Sequence, residues 1–209
     1  GFKCSDHGGS YDVGVGMITN IADAEGEQNN GIPIMTPPMF RGFGEPYAQG
    51  EPTFNNLRHR VPGVDVHAEI TYGRFTMIGE WISAVRFFDP MDLTFNNNPA
   101  KPRALHVQIN YLIHIRGRGW LFGVAYDESW QALSFNLPKC CFSIAMSTSF
   151  CKNTITALEY HHDWDYATGT VANGGTTQTG PTGLMILSAP FMGSGGSRNM
   201  VLFQMGVYF

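Results

Sequence analysis

The chain is patterned in twos. Its last stretch, Met200-Val-Leu-Phe-Gln-Met-Gly-Val-Tyr-Phe209, puts Val201, Phe203, Met205, Val207 and Phe209 on one side of an extended strand. Leu202, Gln204, Gly206 and Tyr208 take the other side. The same alternation predicts strands over 10–20, 64–72, 75–88, 103–116, 120–132, 141–150 and 154–166, about eight in all. In 64–72, Val64, Val66, Ala68, Ile70 and Tyr72 oppose Asp65, His67, Glu69 and Thr71. In 75–88, Phe75, Met77, Trp81, Val85 and Phe87 oppose Thr76, Glu80 and Arg86. The sharpest alternation is in 103–116, where Leu105, Val107, Ile109, Tyr111, Ile113 and Ile115 oppose His106, Gln108, Asn110, His114 and Arg116. In 154–166, Leu158, Tyr160, His162, Trp164 and Tyr166 oppose Glu159, His161, Asp163 and Asp165.

The connections alternate too. Long stretches over 21–62, 89–102 and 167–198 are separated by tight turns at Gly73-Arg74, Arg116-Gly-Arg-Gly119 and Cys151-Lys-Asn153. Leu137-Pro138-Lys139 lies in a medium-length connection. Strands of 9–11 residues, short turns on one side and long loops on the other are the pattern of an outer-membrane barrel. Aromatics near strand ends, among them Tyr72, Phe75, Trp120, Trp130, Phe150 and Tyr166, fit an interfacial girdle. The fold expected is all-β: a single antiparallel transmembrane β-barrel over 1–209, or the C-terminal part of a larger one. Leu184–Met192 is read as part of the external loop 167–198 rather than as a membrane strand. The C-terminus then lies on the periplasmic side of a Gram-negative-type outer membrane. The terminal aromatic Phe209 is the signal expected to meet the assembly machinery. The edge of the last strand needs a partner in lipid. Either residues 10–20 supply it, closing a small barrel, or sequence before Gly1 does.

Composition agrees with this picture. The chain has 209 residues, with charged residues at 14%, aromatics at 13% and 25 glycines. It lacks the run of about 18 apolar residues that a membrane helix needs. A net charge of −4 with no basic cluster argues against nucleic acid. Cys4, Cys140, Cys141 and Cys151 do not have the paired spacing of a zinc site. Adjacent Cys140 and Cys141 point to opposite faces of a strand, and a disulfide is neither required nor excluded. No nucleophile motif, phosphate loop or H-E-x-x-H pattern occurs, so neither an enzyme nor a bound cofactor is expected.

The inward residues are candidates for lining a passage: Asp65, His67, Glu69, Glu80, Arg86, His106, Gln108, His114, Arg116, Glu159, His161, Asp163 and Asp165. Their bland reading is a salt-bridged filling, since eight strands enclose little more than side chains. His161, Asp163 and Asp165 recur every second residue, about 6–7 Å apart, a spacing open to a metal but better read as charged lining. Partners expected are membrane lipid and a small polar solute. The alternative is a non-conducting structural or adhesive barrel whose loops bind a partner. A soluble β-sandwich is a further rival.

Several phrases resemble one family. They are Ile78-Gly-Glu-Trp-Ile-Ser-Ala-Val-Arg-Phe-Phe-Asp89, Ala100-Lys-Pro-Arg-Ala-Leu-His-Val-Gln-Ile-Asn-Tyr111, Gly123-Val-Ala-Tyr126, Trp130-Gln-Ala-Leu-Ser-Phe-Asn-Leu-Pro-Lys139 and Leu158-Glu-Tyr-His-His-Asp-Trp-Asp-Tyr166. With the closing aromatic strand they look like the C-terminal half of LbtU-type siderophore porins, linked to uptake of legiobactin. The resemblance implies a ferric siderophore as the solute and further strands ahead of Gly1. Gln108 stands where that family pattern leads one to expect glutamate.

Overall fold

The computed structural model describes residues 2–6, 8–21, 59–90, 92–135, 137–151, 153–174, 178–179, 185–186 and 191–207. In chain order its strands are β1 (Phe2–Asp6), β2 (Gly9–Ile18), β3 (Gly63–Tyr72), β4 (Phe75–Ala84), β5 (Leu93–Phe95), β6 (Asn98–Pro99), β7 (Arg103–Ile115) and β8 (Arg118–Trp130). They continue with β9 (Cys140–Thr148), β10 (Thr154–Trp164), β11 (Val171–Gly174), β12 (Gln178–Thr179), β13 (Met185–Ile186), β14 (Phe191–Met192) and β15 (Ser197–Val207). The class is all-β, and every strand pair is antiparallel.

One nine-stranded sheet dominates, in the order β1-β2-β3-β4-β7-β8-β9-β10-β15. Each long strand pairs with the next long strand of the chain, so successive connections fall at alternate ends. One end carries the tight turns: Tyr72 pairs with Phe75, and Ile115 with Arg118. Arg116 and Gly117 both have positive φ, which matches the right-handed twist of the flanking strands in a two-residue hairpin loop. The other end carries the connections 19–62, 85–102, 131–139 and 165–196. The sorting of loops by side is therefore real. The long loop 21–62 falls almost wholly outside the described residues, as do Tyr208 and Phe209.

The sheet is inverted relative to a water-soluble one. Its outer face is apolar and exposed: Val15 is 71% exposed, Phe203 70% and Val201 67%. Its other face is polar and the more enclosed, with Asn110, Cys141, Ser143 and Asp163 all buried. Register makes the apolar face continuous. Val15, Val66, Trp81, Leu105 and then, one row on, Val107, Tyr126, Phe142 follow one another across neighbouring strands.

The buried apolar clusters lie in the long connections instead. Val61, Ala84, Phe88, Leu93 and Ala100 form one, flanked by Ile21, Phe95 and Phe135. Leu133, Tyr166 and Ala172 form another, with Phe95 and Phe191 against it. A four-stranded sheet, β14-β11-β5-β6, ties these connections together. They form a packed cap over one end of the large sheet.

The structure corrects several strand limits. β1 was not expected, because Phe2-Lys-Cys-Ser-Asp6 has no uninterrupted apolar face; its place is set by backbone pairing to β2. β2 lies between β1 and β3 and so is not the partner of the last strand. Among the described residues β15 pairs with β10 alone, over eleven residue positions from Thr154↔Val207 to Trp164↔Ser197. β4 stops at Ala84, where the backbone turns to bond Pro62 and then Ala100. Phe88 thereby enters the cap core rather than extending a strand. β10 stops at Trp164, and Tyr166 is buried in the cap rather than standing in an outer girdle. In the Leu184–Met192 stretch, β13 and β14 pair within the two small sheets and add nothing to the large one.

Candidate functional site

The polar face of the large sheet brings most of the expected residues together. Asp65, His67 and Glu69 stand on β3, Glu80 on β4, and His106, Gln108 and His114 on β7. Glu159, His161 and Asp163 stand on β10. Even spacing on each strand and the register between strands put all of them on one surface.

Three histidine–carboxylate pairs run across this surface. His67 Nδ1 lies 3.0 Å from Asp65 Oδ2. His106 Nδ1 lies 2.7 Å from Asp127 Oδ1, which the adjacent strand β8 supplies. His161 Nε2 lies 2.9 Å from Glu159 Oε1. Between them, Gln108 accepts from His106 Nε2 at 3.2 Å and its amide donates to Asn110 at 2.8 Å. Cys141 Sγ is 3.6 Å from the remaining nitrogen of His161. Asp163 is paired with Arg198 of β15, with Nη2 to Oδ2 at 2.6 Å. The surface is thus a chain of satisfied polar groups, as a low-dielectric surround requires.

Glu69 and Glu80 depart from this rule, and of the two Glu80 is the more enclosed. In register it sits between His67 and His106. Both imidazoles are already committed, to Asp65 and to Asp127. Glu80 therefore has no hydrogen bond or ion pair among the described residues.

The packing around His67 explains two glycines. A Cβ at Gly14 would sit 2.3 Å from His67 Nε2, and one at Gly16 would sit 2.0 Å from Asp65 Oδ1. The Asp65–His67 pair leans across β2, into room that only glycine leaves. Gly79, on the apolar face, would meet nothing within 4 Å.

Three expected lining residues are placed elsewhere. Arg86 lies past the end of β4, and its guanidinium donates to the Arg60 carbonyl at the cap. Arg116 is in the hairpin turn with φ of 52°. Asp165 follows β10, and its carboxylate accepts from the Ser194 backbone N–H at 2.7 Å, the Ser194 hydroxyl at 2.6 Å and the Tyr166 N–H at 2.7 Å. Partial burial pushes the Asp165 carboxyl upward, but these donors outweigh it and hold it below its ordinary value. His161, Asp163 and Asp165 consequently do not converge. Among the described residues no three His, Cys, Asp or Glu side chains are grouped to hold a metal. All four cysteines are free, and Cys140 and Cys141 face opposite sides, towards Tyr126 and His161 respectively.

Sequence reading missed the place where cap and polar face meet. A cavity of about 650 Å³ opens there. Its walls include Ile18, Ile21, Ile82, Ala104, Phe135 and Leu137, and Asp65 and Glu80 line it as well. A second cavity, of about 340 Å³, lies across Leu137-Pro138, beside Asp163 and Arg198. Leu137-Pro138-Lys139 reads only as a loop in sequence, because the residues that share the two cavities with Leu137 come from distant parts of the chain.

The fold and surface define an all-β protein with a continuous exposed apolar face and a polar inner one. Comparison with known proteins adds homologues. The chain is 36% identical over 198 residues to a UPF0422 protein of Legionella pneumophila (strain Paris), covering 95% of this chain and 35% of the relative. It is 30% identical over 200 residues to a UPF0422 protein of Coxiella burnetii, covering 96% of this chain and 37% of the relative. The chain spans about a third of the length of these relatives. No family model and no solved structure matches it.

Proposed function

We propose that this chain forms part of the wall of a transmembrane antiparallel β-barrel in a Gram-negative-type outer membrane, and that its polar face lines a passage for small polar solutes. One observation carries the reading: the inverted sheet, with a band of exposed apolar side chains running across one face and hydrogen-bonded polar groups gathered on the other. In lipid, closed sheets satisfy every backbone group while the apolar face meets hydrocarbon.

The outer face supports this in detail. Aromatics stand in two bands. At the turn end, Phe75 packs on Tyr111 at 4.6 Å and Trp120 on Phe150 at 5.8 Å. At the cap end, Trp81 packs on Trp130 at 5.3 Å, and Lys139 lies 4.8 Å over the Trp130 ring while pairing with Glu128. Along β7 the two bands are separated by the steps from Tyr111 to Arg103, about 27 Å of strand. A tilted strand of that length crosses an apolar layer of about 25 Å, and the outward residues of β7 between the bands, Leu105, Val107 and Ile109, carry no charge.

The LbtU-type resemblance points to a ferric siderophore as the solute, and the sorting of short turns and long connections supports a C-terminus at the periplasmic rim. The packed cap favours a second reading, a non-conducting barrel whose cap binds an external partner. Conductance of the intact protein in a planar bilayer separates the two. Neutralising the two carboxylates without a partner among the described residues, with Glu69→Gln and Glu80→Gln, should lower cation preference, seen as a shift in reversal potential under a salt gradient. Conductance with unchanged selectivity would remove these residues from the passage, and absence of conductance would favour the second reading.

A further inference from the structure

We infer that the cavity between the cap and the polar face is a binding site for a compact organic cation, an amine or quaternary ammonium carried on an apolar body. The site is additional to the passage and its siderophore solute, lies at the capped mouth, and rests on the proposed passage for its biological sense.

The site combines two features that seldom meet by accident. Its walls are mostly apolar, from Ile18, Ile82, Ala104, Ala132, Phe135 and Leu137. Such walls bury a hydrocarbon body, as small-molecule sites generally do. Its lining also holds two carboxylates. Asp65 is already engaged by His67 at 3.0 Å. Glu80 has no partner among the described residues, because the histidines on either side of it are each bonded to another carboxylate. An anionic oxygen pair in a partly enclosed site is satisfied by a ligand cation more strongly than in open water.

Arg103 also borders the cavity, but it alternates with Ala104 and shares the outer face with Leu105. Of the three charged residues that line the cavity, Asp65 and Glu80 belong to the inner face and Arg103 to the outer one. The volume, about 650 Å³, is within the range of small-molecule sites.

The test uses the intact protein in detergent micelles, titrated calorimetrically with benzyltrimethylammonium and, separately, with phenylacetate. The two probes share an aromatic body and differ in charge. Saturable binding of the cation and at least tenfold weaker binding of the anion is the expected result. Glu80→Gln should weaken the cation about tenfold, the size of one partly screened ion pair. Ile82→Ser, in the apolar wall, should weaken it severalfold and keeps the test decisive if the first variant misfolds. Equal binding of both probes, no saturable binding of either, or cation affinity unchanged in both variants would overturn the assignment. Conductance is read on the same samples. Ion-selective conductance without cation binding would overturn the site and leave the passage standing, whereas cation binding without conductance would support the site and overturn the passage.

Discussion

Replacing Tyr166 with phenylalanine should loosen the cap and leave the large sheet intact. The ring is 5% exposed and packs edge-on against Phe95 with centroids 5.6 Å apart. Its hydroxyl accepts from the Ala132 backbone N–H at 3.1 Å and bonds Ser129 Oγ at 2.8 Å. Ser129 in turn donates to the Pro138 carbonyl at 2.6 Å, so Tyr166 is the donor to Ser129. Phenylalanine keeps the ring and its burial and removes only the hydroxyl. Ser129 keeps its bond to Pro138. The Ala132 N–H has no replacement, and Ala132 is 2% exposed. Leaving a buried donor unsatisfied costs about 1–3 kcal/mol. The expected loss is about 2 kcal/mol, roughly a thirtyfold rise in local opening. Hydrogen exchange in micelles checks this: protection should fall at 131–135 and stay unchanged along β8, β9 and β10. The alanine variant, losing the ring as well, should cost about 3–5 kcal/mol. Unchanged exchange in the phenylalanine variant would refute the reasoning. That is the result expected of an aromatic in an interfacial girdle, where the hydroxyl meets water.

Three other outcomes follow from the same structure. Phe203→Arg on the exposed apolar face should cost about 2–4 kcal/mol of folding into lipid vesicles, measured by denaturant titration, while Gln204→Arg on the opposite face should cost much less. Gly14→Leu should drive the His67 ring off β2 and break its 3.0 Å contact with Asp65, seen as a change in the His67 ring nitrogen resonances, whereas Gly79→Ala should leave them unmoved. The Asp165 carboxyl is held below its unfolded value of about 3.8, so its bonds to Ser194 stabilise the cap above that pH and are lost as pH falls through the lower folded value. Exchange at Ser194 should therefore quicken below about pH 4, and Asp165→Asn should flatten that dependence.

Most of the large sheet was legible in the residues. Alternation is a local property, since successive side chains of a strand point to opposite faces, and it named the apolar set of β3, β7 and β15 without any knowledge of their neighbours. Loop length by itself sorted the connections to two ends. Arg86, Asp165 and Tyr166 were misplaced for a common reason. Each continues a period-two pattern past the point where the backbone leaves the sheet, and that point is set by distant partners: Pro62 and Ala100 for β4, and Ser194 and Gly196 for β10. That Glu80 finds no partner among the described residues was equally out of reach. It depends on which carboxylate each neighbouring histidine has taken, and those choices are made across strands. Sequence thus determined which side chains share a face, because that follows from strand geometry alone. Tertiary structure decided where strands stop, how the long connections fold into a cap, and how the histidines and carboxylates of the inner face pair, because each of these is a contact between residues far apart in the chain.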